Sequence, residues 1–534
     1  MQPRWNLCLL VLAFAQFAGA QGGRSFANAE MSAVPYSRTS ARAQVSCAGL
    51  TALTGHDYSV TSATLVEAAG GVPEHCRVLG VIPPEIRFSV DLPADWNRRL
   101  YMYGNGGFAG TPPEAPARIA ASRHALQRGF ATTYTDTGHD STVEPLGSFA
   151  LNNLQKEIDY SFRAVHLTVE TAKTIASRYY AAAPDFSYWD GCSTGGRQGL
   201  MSAQRFPEDF DGILAGAPVL DFTGTMAAYA WIQQAFAKAP MSLAKVELLG
   251  RKVYERCDKL DGVADGLIED PRQCDFDPVQ HLTQCDGATG ADCFSTPEIA
   301  ALSLFYADVR GGGEILFPGW PLGAEVPPPS GRNPASGWNR WIVNDDGPPI
   351  EQIFSETFFR NLAFRPDEPD FDWRSFDFDK DPQRMSFIRS ILDATNPDLS
   401  AFEDRGGKLL MYFGWADTAL NPLMGVNYYE DVFKTMGPQT GDFFRLYMVP
   451  GMFHCGGGLG VDRFDAFTRL VNWVEGGEVP ERMDAARVID GKVELTRPLC
   501  PYPQVAKYNG SGDPNDAANF TCAAPYADSR MMLP

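Results

Sequence analysis

The sequence predicts an α/β fold: a parallel sheet with helices on both faces, interrupted by a large insertion. Three observations carry this expectation. From Cys47 to about Asp221, short apolar runs alternate with helix-length amphipathic stretches, the pattern of a parallel sheet covered by crossover helices. Between about Phe222 and Gly407 the pattern gives way to local cysteines, Pro and Gly, acidic loops and clustered aromatics. It resumes at Lys408-Leu409-Leu410-Met411-Tyr412-Phe413.

The elements follow in order. Residues 1–20 read as a secretory signal: Arg4, an apolar run from Leu7 to Phe17, then Ala18-Gly19-Ala20 as an Ala-x-Ala cleavage site. The run is too short to span a bilayer comfortably. Residues 21–45 are Ser-, Ala- and Gly-rich and read as a flexible segment. Residues 46–221 form the first part of the predicted core. Within it Arg99-Leu100-Tyr101-Met102-Tyr103 reads as a strand that ends at Gly104-Asn105-Gly106-Gly107. Asn152 to Tyr180 reads as one helix, because Ile158, Phe162, Val165, Val169, Ala172, Ala176 and Tyr179 step by threes and fours. His166 lies beside that stripe and reads as a structural histidine. Phe186-Ser187-Tyr188-Trp189 reads as a buried strand, and Asp211 to Pro218 as the next strand with its exit turn. Residues 222–407 form the predicted lid domain, and residues 408–534 the second part of the core.

The chemistry concentrates at Gly191-Cys192-Ser193-Thr194-Gly195, between that buried strand and Gly196-Arg197-Gln198-Gly199-Leu200-Met201, which opens a helix. A Gly-x-Ser-x-Gly in strand–turn–helix context is the nucleophile elbow of α/β-hydrolases. The glycines permit a tight turn that raises the serine hydroxyl above the sheet. A serine also needs a base, and these folds present serine, acid and histidine in that chain order. Asp417 follows the resumed strand in Gly414-Trp415-Ala416-Asp417, and His454 follows Leu446-Tyr447-Met448-Val449-Pro450 on a Gly-rich loop. The order Ser193, Asp417, His454 is the expected one. The anion formed during ester attack needs backbone N–H donors. Thr194 supplies one, and Gly106 or Gly107, after an early strand, supplies the other.

Eleven cysteines are present, and removal of Cys8 with the signal leaves an even number in an exported chain. Disulfides are therefore expected. Local spacing suggests Cys47–Cys76, Cys257–Cys274, Cys285–Cys293 and Cys500–Cys522, although spacing does not fix connectivity. Cys192 directly precedes Ser193, and Cys455 directly follows His454. If these two pair, the bond places nucleophile beside base. The formal net charge of −20 argues against nucleic acid as a partner, because phosphate binding needs a basic face. It also disfavours anionic membranes. A secreted or periplasmic protein acting on a small ester, with no nucleic-acid or membrane partner, is the expectation.

On these residues the chain resembles the tannase and feruloyl esterase family of α/β-hydrolases, which includes mono(2-hydroxyethyl) terephthalate hydrolase-like enzymes. The resemblance rests on Gly191–Gly196, Asp417 and His454-Cys455. It implies an α/β-hydrolase fold with a large inserted lid domain, a disulfide beside the triad, and a serine carboxylic ester hydrolase. It also implies a structural Ca²⁺ site in the lid. Asp258-Lys259-Leu260-Asp261-Gly262-Val263-Ala264-Asp265-Gly266-Leu267 offers the carboxylates of Asp258, Asp261 and Asp265 and the carbonyls of Val263 and Leu267, hard oxygen donors suited to calcium.

The expected substrate is an aromatic carboxylic ester of feruloyl, hydroxycinnamoyl or galloyl type. Trp320, Trp338, Trp341, Phe354, Phe358 and Phe359 in the lid are numerous enough to sandwich an aromatic acyl group. The alternative is an aromatic diacid monoester, whose free carboxylate would pair with Arg340 or Arg360. The resemblance implies an acidic residue after the nucleophile in the terephthalate monoester hydrolases, where this chain has Thr194. A non-catalytic calcium-binding secreted protein on a hydrolase scaffold is the alternative of another class.

Overall fold

The computed structural model describes residues 40–287, 290–325 and 337–525. The expected signal, with Cys8, and most of the expected flexible segment lie outside them. The chain clusters into two compact units. One comprises Met1–Ala215, Ser400–Leu409 and Asp465–Glu478; the other comprises Gly216–Leu399, Leu410–Phe464 and Val479–Pro534.

The first unit is built on β1 (Ser59–Val66), β2 (His75–Ile82), β3 (Ile86–Pro93), β4 (Arg99–Tyr103), β5 (Ala131–Thr135), β6 (Phe186–Cys192) and β7 (Gly212–Gly216). Their spatial order is β1-β2-β3-β5-β4-β6-β7. β4 pairs in parallel with both β5 and β6. β1, β2 and β3 form an antiparallel meander, and β3 meets β5 antiparallel. The sheet is therefore mixed where the alternation had suggested a wholly parallel one. The meander strands are joined by short turns, which admit only antiparallel neighbours. All five residues of β4 are buried, as expected of a strand covered on both faces.

Helices α1 (Pro116–Gln127), α2 (Leu154–Ile158), α3 (Ala164–Tyr180) and α4 (Thr194–Arg205) belong to this unit. The helix expected over Asn152–Tyr180 is split, because Asp159–Arg163 forms a π-turn between α2 and α3. The extra residue of a π-turn rotates everything before it relative to everything after it. After the turn Val165, Val169, Ala172, Ala176 and Tyr179 are buried, as the apolar stripe requires. Before and within it the phase is lost: Glu157, Asp159, Tyr160 and Ser161 are buried, while Ile158 is half-buried. His166 donates from Nδ1 toward Asp209 at 3.0 Å and stacks on Phe206, a structural role. Its neighbour one turn on, Glu170, completes a group of three metal-competent side chains with Asp209.

A buried ion pair fixes β4 in this unit. Arg99 donates from Nε and Nη2 to both carboxylate oxygens of Glu475 at 2.6 Å, and Tyr188 donates to Glu475 Oε1 at 2.7 Å. Glu475 lies on the helix Ala466–Gly476.

In the second unit α5 (Phe222–Lys238), α6 (Leu243–Cys257), α7 (Thr296–Tyr306) and α8 (Ile350–Asn361) assemble around aromatic contacts. Phe222 of α5 meets Phe358 of α8 at 5.7 Å between ring centroids, and Phe305 of α7 meets Trp338 at 4.3 Å. Short antiparallel pairs β8 (Val309–Gly311)–β9 (Glu314–Phe317), β12 (Met483–Ile489)–β13 (Lys492–Leu499) and β14 (Val505–Tyr508)–β15 (Phe520–Ala523) complete it. Neighbouring strands β10 (Lys408–Gly414) and β11 (Phe444–Val449) carry the loops that follow them, and α9 (Pro422–Met436) lies between them in the chain. The unit boundaries at Ala215/Gly216 and Leu409/Leu410 fall inside β7 and β10.

Bonds Cys47–Cys76, Cys257–Cys274, Cys285–Cys293 and Cys500–Cys522 are present. Cys192, in the first unit, and Cys455, in the second, are each disulfide-bonded.

Removing one partner of the Arg99–Glu475 pair leaves a buried guanidinium without its counter-charge. Glu475→Ala is expected to cost about 3–5 kcal/mol, read as a fall in the urea midpoint. Glu475→Gln, which keeps acceptor and shape, is expected to cost less.

Candidate active site

In the first unit, β6 runs through Cys192 and α4 begins at Thr194, so Ser193 is the single residue of the turn. Its φ of 65° and ψ of −124° place it in a region that non-glycine residues rarely occupy. Such a conformation costs about 1–3 kcal/mol and persists only where the surroundings hold it. Here glycines do so by letting backbones meet. A Cβ on Gly191 would stand 2.6 Å from the Gly195 carbonyl carbon, and one on Gly104 would stand 2.5 Å from Gly195 Cα. The N-terminal end of α4 thus rests directly on the end of β4.

The loop after β4 is fastened to α4 at two places. Gln198 accepts from the Asn105 backbone N–H at 3.1 Å and donates from Nε2 to Asn105 Oδ1 at 3.1 Å. Asn105 donates onward to Tyr134 Oη and to the Thr135 carbonyl. Further along, the Thr194 hydroxyl donates to the Gly107 carbonyl at 2.6 Å. The structure therefore brings together Thr194 and Gly107, two of the residues expected to stabilise an oxyanion. Gly106 accepts from Ala109 N–H at 3.0 Å, closing a tight turn with Gly107 at φ 54°. The Thr194 N–H belongs to the first helical residue, where no intrahelical acceptor exists.

In the second unit, Asp417 and His454 are in contact: His454 Nδ1 lies 2.8 Å from Asp417 Oδ2. Asp417 is fully buried, and its other oxygen accepts from the N–H groups of Ala419 and Leu420 at 2.9 and 2.8 Å. The carboxylate is thereby locked in one orientation and fixes the histidine tautomer with Nδ1 protonated. Trp341 meets the His454 ring edge-on at 6.0 Å between centroids.

The remaining predicted residues divide. Trp320, Trp338, Phe354, Phe358 and Phe359 are buried in the core of the second unit, Phe359 among Phe364, Phe371 and Phe376. Among the six lid aromatics, Trp341 is the one in ring contact with His454. Arg360 is committed to Glu356 at 2.6 Å and to the Phe371 carbonyl, whereas Arg340 is exposed. In the acidic loop, Asp258, Asp261 and Asp265 each accept one backbone N–H, from Gly266, Val263 and Leu267 respectively. Arg497 pairs with Asp265 Oδ2 at 2.5 Å. Burial and the neighbouring Asp265 and Asp258 charges push the Asp261 carboxyl up to about 6.

Sequence reasoning missed Asn105, Gln198, Tyr160 and Arg197. The sequence carried no signal for the last two, because the apolar steps at Ile158, Phe162 and Val165 run unbroken through the turn.

Gly104→Ala forces the end of β4 and the start of α4 apart. It is expected to lower unfolding stability by about 1–3 kcal/mol; an unchanged urea midpoint would mean that the close approach is not a constraint.

The chain is 36% identical to a mono(2-hydroxyethyl) terephthalate hydrolase of Piscinibacter sakaiensis, over 87% of each chain. It is 29% identical to feruloyl esterase B of Aspergillus niger, over 81% of this chain and 82% of that one. The crystal structure of feruloyl esterase B from Aspergillus oryzae superposes with a TM-score of 0.77 at 25% identity, covering 90% of this chain and all of that one. Residues 71–523 match the family model described as tannase and feruloyl esterase. The chain belongs to the tannase and feruloyl esterase family and is an esterase-type hydrolase.

Proposed function

We propose that the protein is a secreted serine esterase that hydrolyses aromatic carboxylic esters of the feruloyl or galloyl type through an acyl-enzyme. The observation that carries this reading is the Asp417–His454 contact at 2.8 Å in a chain whose Ser193 sits on a strained elbow. His454, with Nδ1–H held by Asp417, presents Nε2 as the base. It takes the Ser193 proton as the hydroxyl oxygen attacks the ester carbonyl, and Asp417 stabilises the imidazolium. The tetrahedral oxyanion is held by N–H groups of Thr194 and of the Gly106-Gly107 segment. Collapse expels the alcohol, which takes the proton from His454. Water activated by the same histidine then releases the acid. Cys192 and Cys455 bond to one another in this reading, joining the neighbours of nucleophile and base.

Trp341 beside His454 supports an aromatic acyl group, because a flat ring against the base selects a flat partner. The diacid monoester reading is favoured by the 36% identity to the terephthalate monoester hydrolase. It is disfavoured by neutral Thr194 and by the engagement of Arg360 with Glu356. The non-catalytic reading is disfavoured by the presence of all three triad residue types. Export is supported by the disulfides.

We further propose that Asp258, Asp261 and Asp265, with the carbonyls of Val263 and Leu267, hold Ca²⁺. The donor set is all oxygen, which suits this cation. Three carboxylates crowd one loop; burial and the Asp265 and Asp258 charges raise the proton affinity of Asp261, with Arg497 offsetting part of the charge. The bound ion would supply the missing positive charge, and the Cys257–Cys274 bond closes the chain segment that carries the loop. Its role is structural.

Purified protein is expected to prefer methyl ferulate or methyl gallate over mono(2-hydroxyethyl) terephthalate. Ser193→Ala is expected to abolish turnover without loss of fold, and Asp417→Asn to lower kcat by about 10,000-fold. Preference for the terephthalate monoester would transfer the assignment to the diacid reading, and activity retained by Ser193→Ala would refute the serine mechanism. For the metal, EDTA is expected to lower the thermal midpoint and added Ca²⁺ to restore it, with Asp261→Asn unresponsive to both. A midpoint indifferent to chelation would remove calcium from the account.

A further inference from the structure

Two hydroxyls converge on one backbone carbonyl in the oxyanion loop. Thr194 Oγ1 donates to the Gly107 carbonyl at 2.6 Å, and Tyr160 Oη donates to the same oxygen at 3.0 Å. Both side chains are essentially excluded from solvent, where such bonds are strongest and their loss is costly. From this we infer that Thr194 and Tyr160 are positioning residues for the oxyanion hole: their hydroxyls hold the Gly107 carbonyl, which restrains ψ at Gly107 and so keeps this glycine, with the N–H it offers to the oxyanion, in one conformation. The inference rests on the serine esterase reading above.

The geometry accounts for both peptide planes at Gly107. The preceding carbonyl, Gly106, is held by Ala109 N–H at 3.0 Å, and the following one by the two hydroxyls. A trans peptide is planar with N–H opposite C=O, so fixing both carbonyls fixes the directions of the Gly107 and Phe108 N–H groups. Gly107 needs this restraint, because a glycine at φ 54° has wide conformational freedom. One clamp comes from the residue after the nucleophile, which ties the loop to the helix that supplies the other donor.

The second clamp comes from the π-turn Asp159–Arg163, which carries Tyr160. A π-turn disturbs the i→i−4 ladder and leaves carbonyls short of donors. Arg197, one turn beyond Ser193 on α4 and fully buried, donates from Nη1 to Ser161 O at 2.9 Å and from Nη2 to Tyr160 O at 3.3 Å. Its guanidinium also lies 5.2 Å from the centroid of the Tyr160 ring. The nucleophile helix therefore holds the turn that holds the oxyanion loop.

The test compares Thr194→Val, which keeps shape and removes the hydroxyl, with Thr194→Ser, which keeps the hydroxyl, and with Tyr160→Phe. The readouts are kcat and KM on methyl ferulate and p-nitrophenyl acetate, and the affinity for phenylboronic acid, whose anionic serine adduct occupies the oxyanion hole. Thr194→Val is expected to lower kcat by about ten- to a hundredfold, with KM within about twofold. Boronate affinity should fall in parallel, and Thr194→Ser should restore most of both. Tyr160→Phe should show the same kcat-selective loss, and the double variant should lose less than the product of the two singles, since both act on one carbonyl. Wild-type kcat in Thr194→Val and Tyr160→Phe, or equal loss in Thr194→Ser and Thr194→Val, would overturn the inference while leaving Ser193 as nucleophile. Activity retained by Ser193→Ala would overturn both together.

Discussion

The close approach of α4 to the end of β4 is the constraint on which the rest of the candidate site depends. Gly104 and Gly195 meet backbone to backbone, and Gly191 leaves room for the Gly195 carbonyl. Trp189 then donates from Nε1 to that same Gly195 carbonyl at 2.9 Å, and a Cβ on Gly199 would stand 2.6 Å from its ring. A side chain at any of these glycines pushes the helix outward and relaxes the turn at Ser193. The strain of that turn is thus held by packing on both sides of it, the condition under which a rare backbone conformation survives.

From this contact the polar anchors follow as consequences of proximity. With α4 lying on β4, Gln198 reaches Asn105, Thr194 reaches Gly107, and Arg197 reaches the carbonyls of the π-turn. Each bond is made by a side chain on the first two turns of one helix, and each fixes a different part of the surrounding backbone. The arrangement satisfies buried polar groups and at the same time removes the freedom of a Gly-rich loop. Electrostatic stabilisation of a developing charge depends on donors that are already oriented before reaction, and rigidity of this kind supplies that orientation.

The second unit solves the matching problem for the base. Asp417 is buried and offers one oxygen to two backbone N–H groups and the other to His454. A carboxylate so satisfied has one orientation, and the imidazole follows it. The lid aromatics divide between structure and site for a similar reason. Phe358 and Phe359 are consumed by packing in the core of the second unit, against Phe222 and Phe376 respectively, whereas Trp341, on a loop before α8, meets His454.

What the sequence by itself determined was set by short-range sterics and covalent spacing. The elbow glycines, the apolar strand before them and the cysteines paired over separations of 8 to 29 residues are short-range features, and the order of Ser193, Asp417 and His454 is legible along the chain. What only the tertiary structure decided was the outcome of long-range contacts. The π-turn Asp159–Arg163 changed which face of the helix before Ala164 is buried, because a periodicity count assumes an unbroken helix. The antiparallel meander emerged because strand direction is a property of pairs rather than of single strands. The convergence of Tyr160 and Thr194 on Gly107 joins positions 53 and 87 residues away from it. No window along the chain contains all three, so their meeting is decided by how the backbone packs.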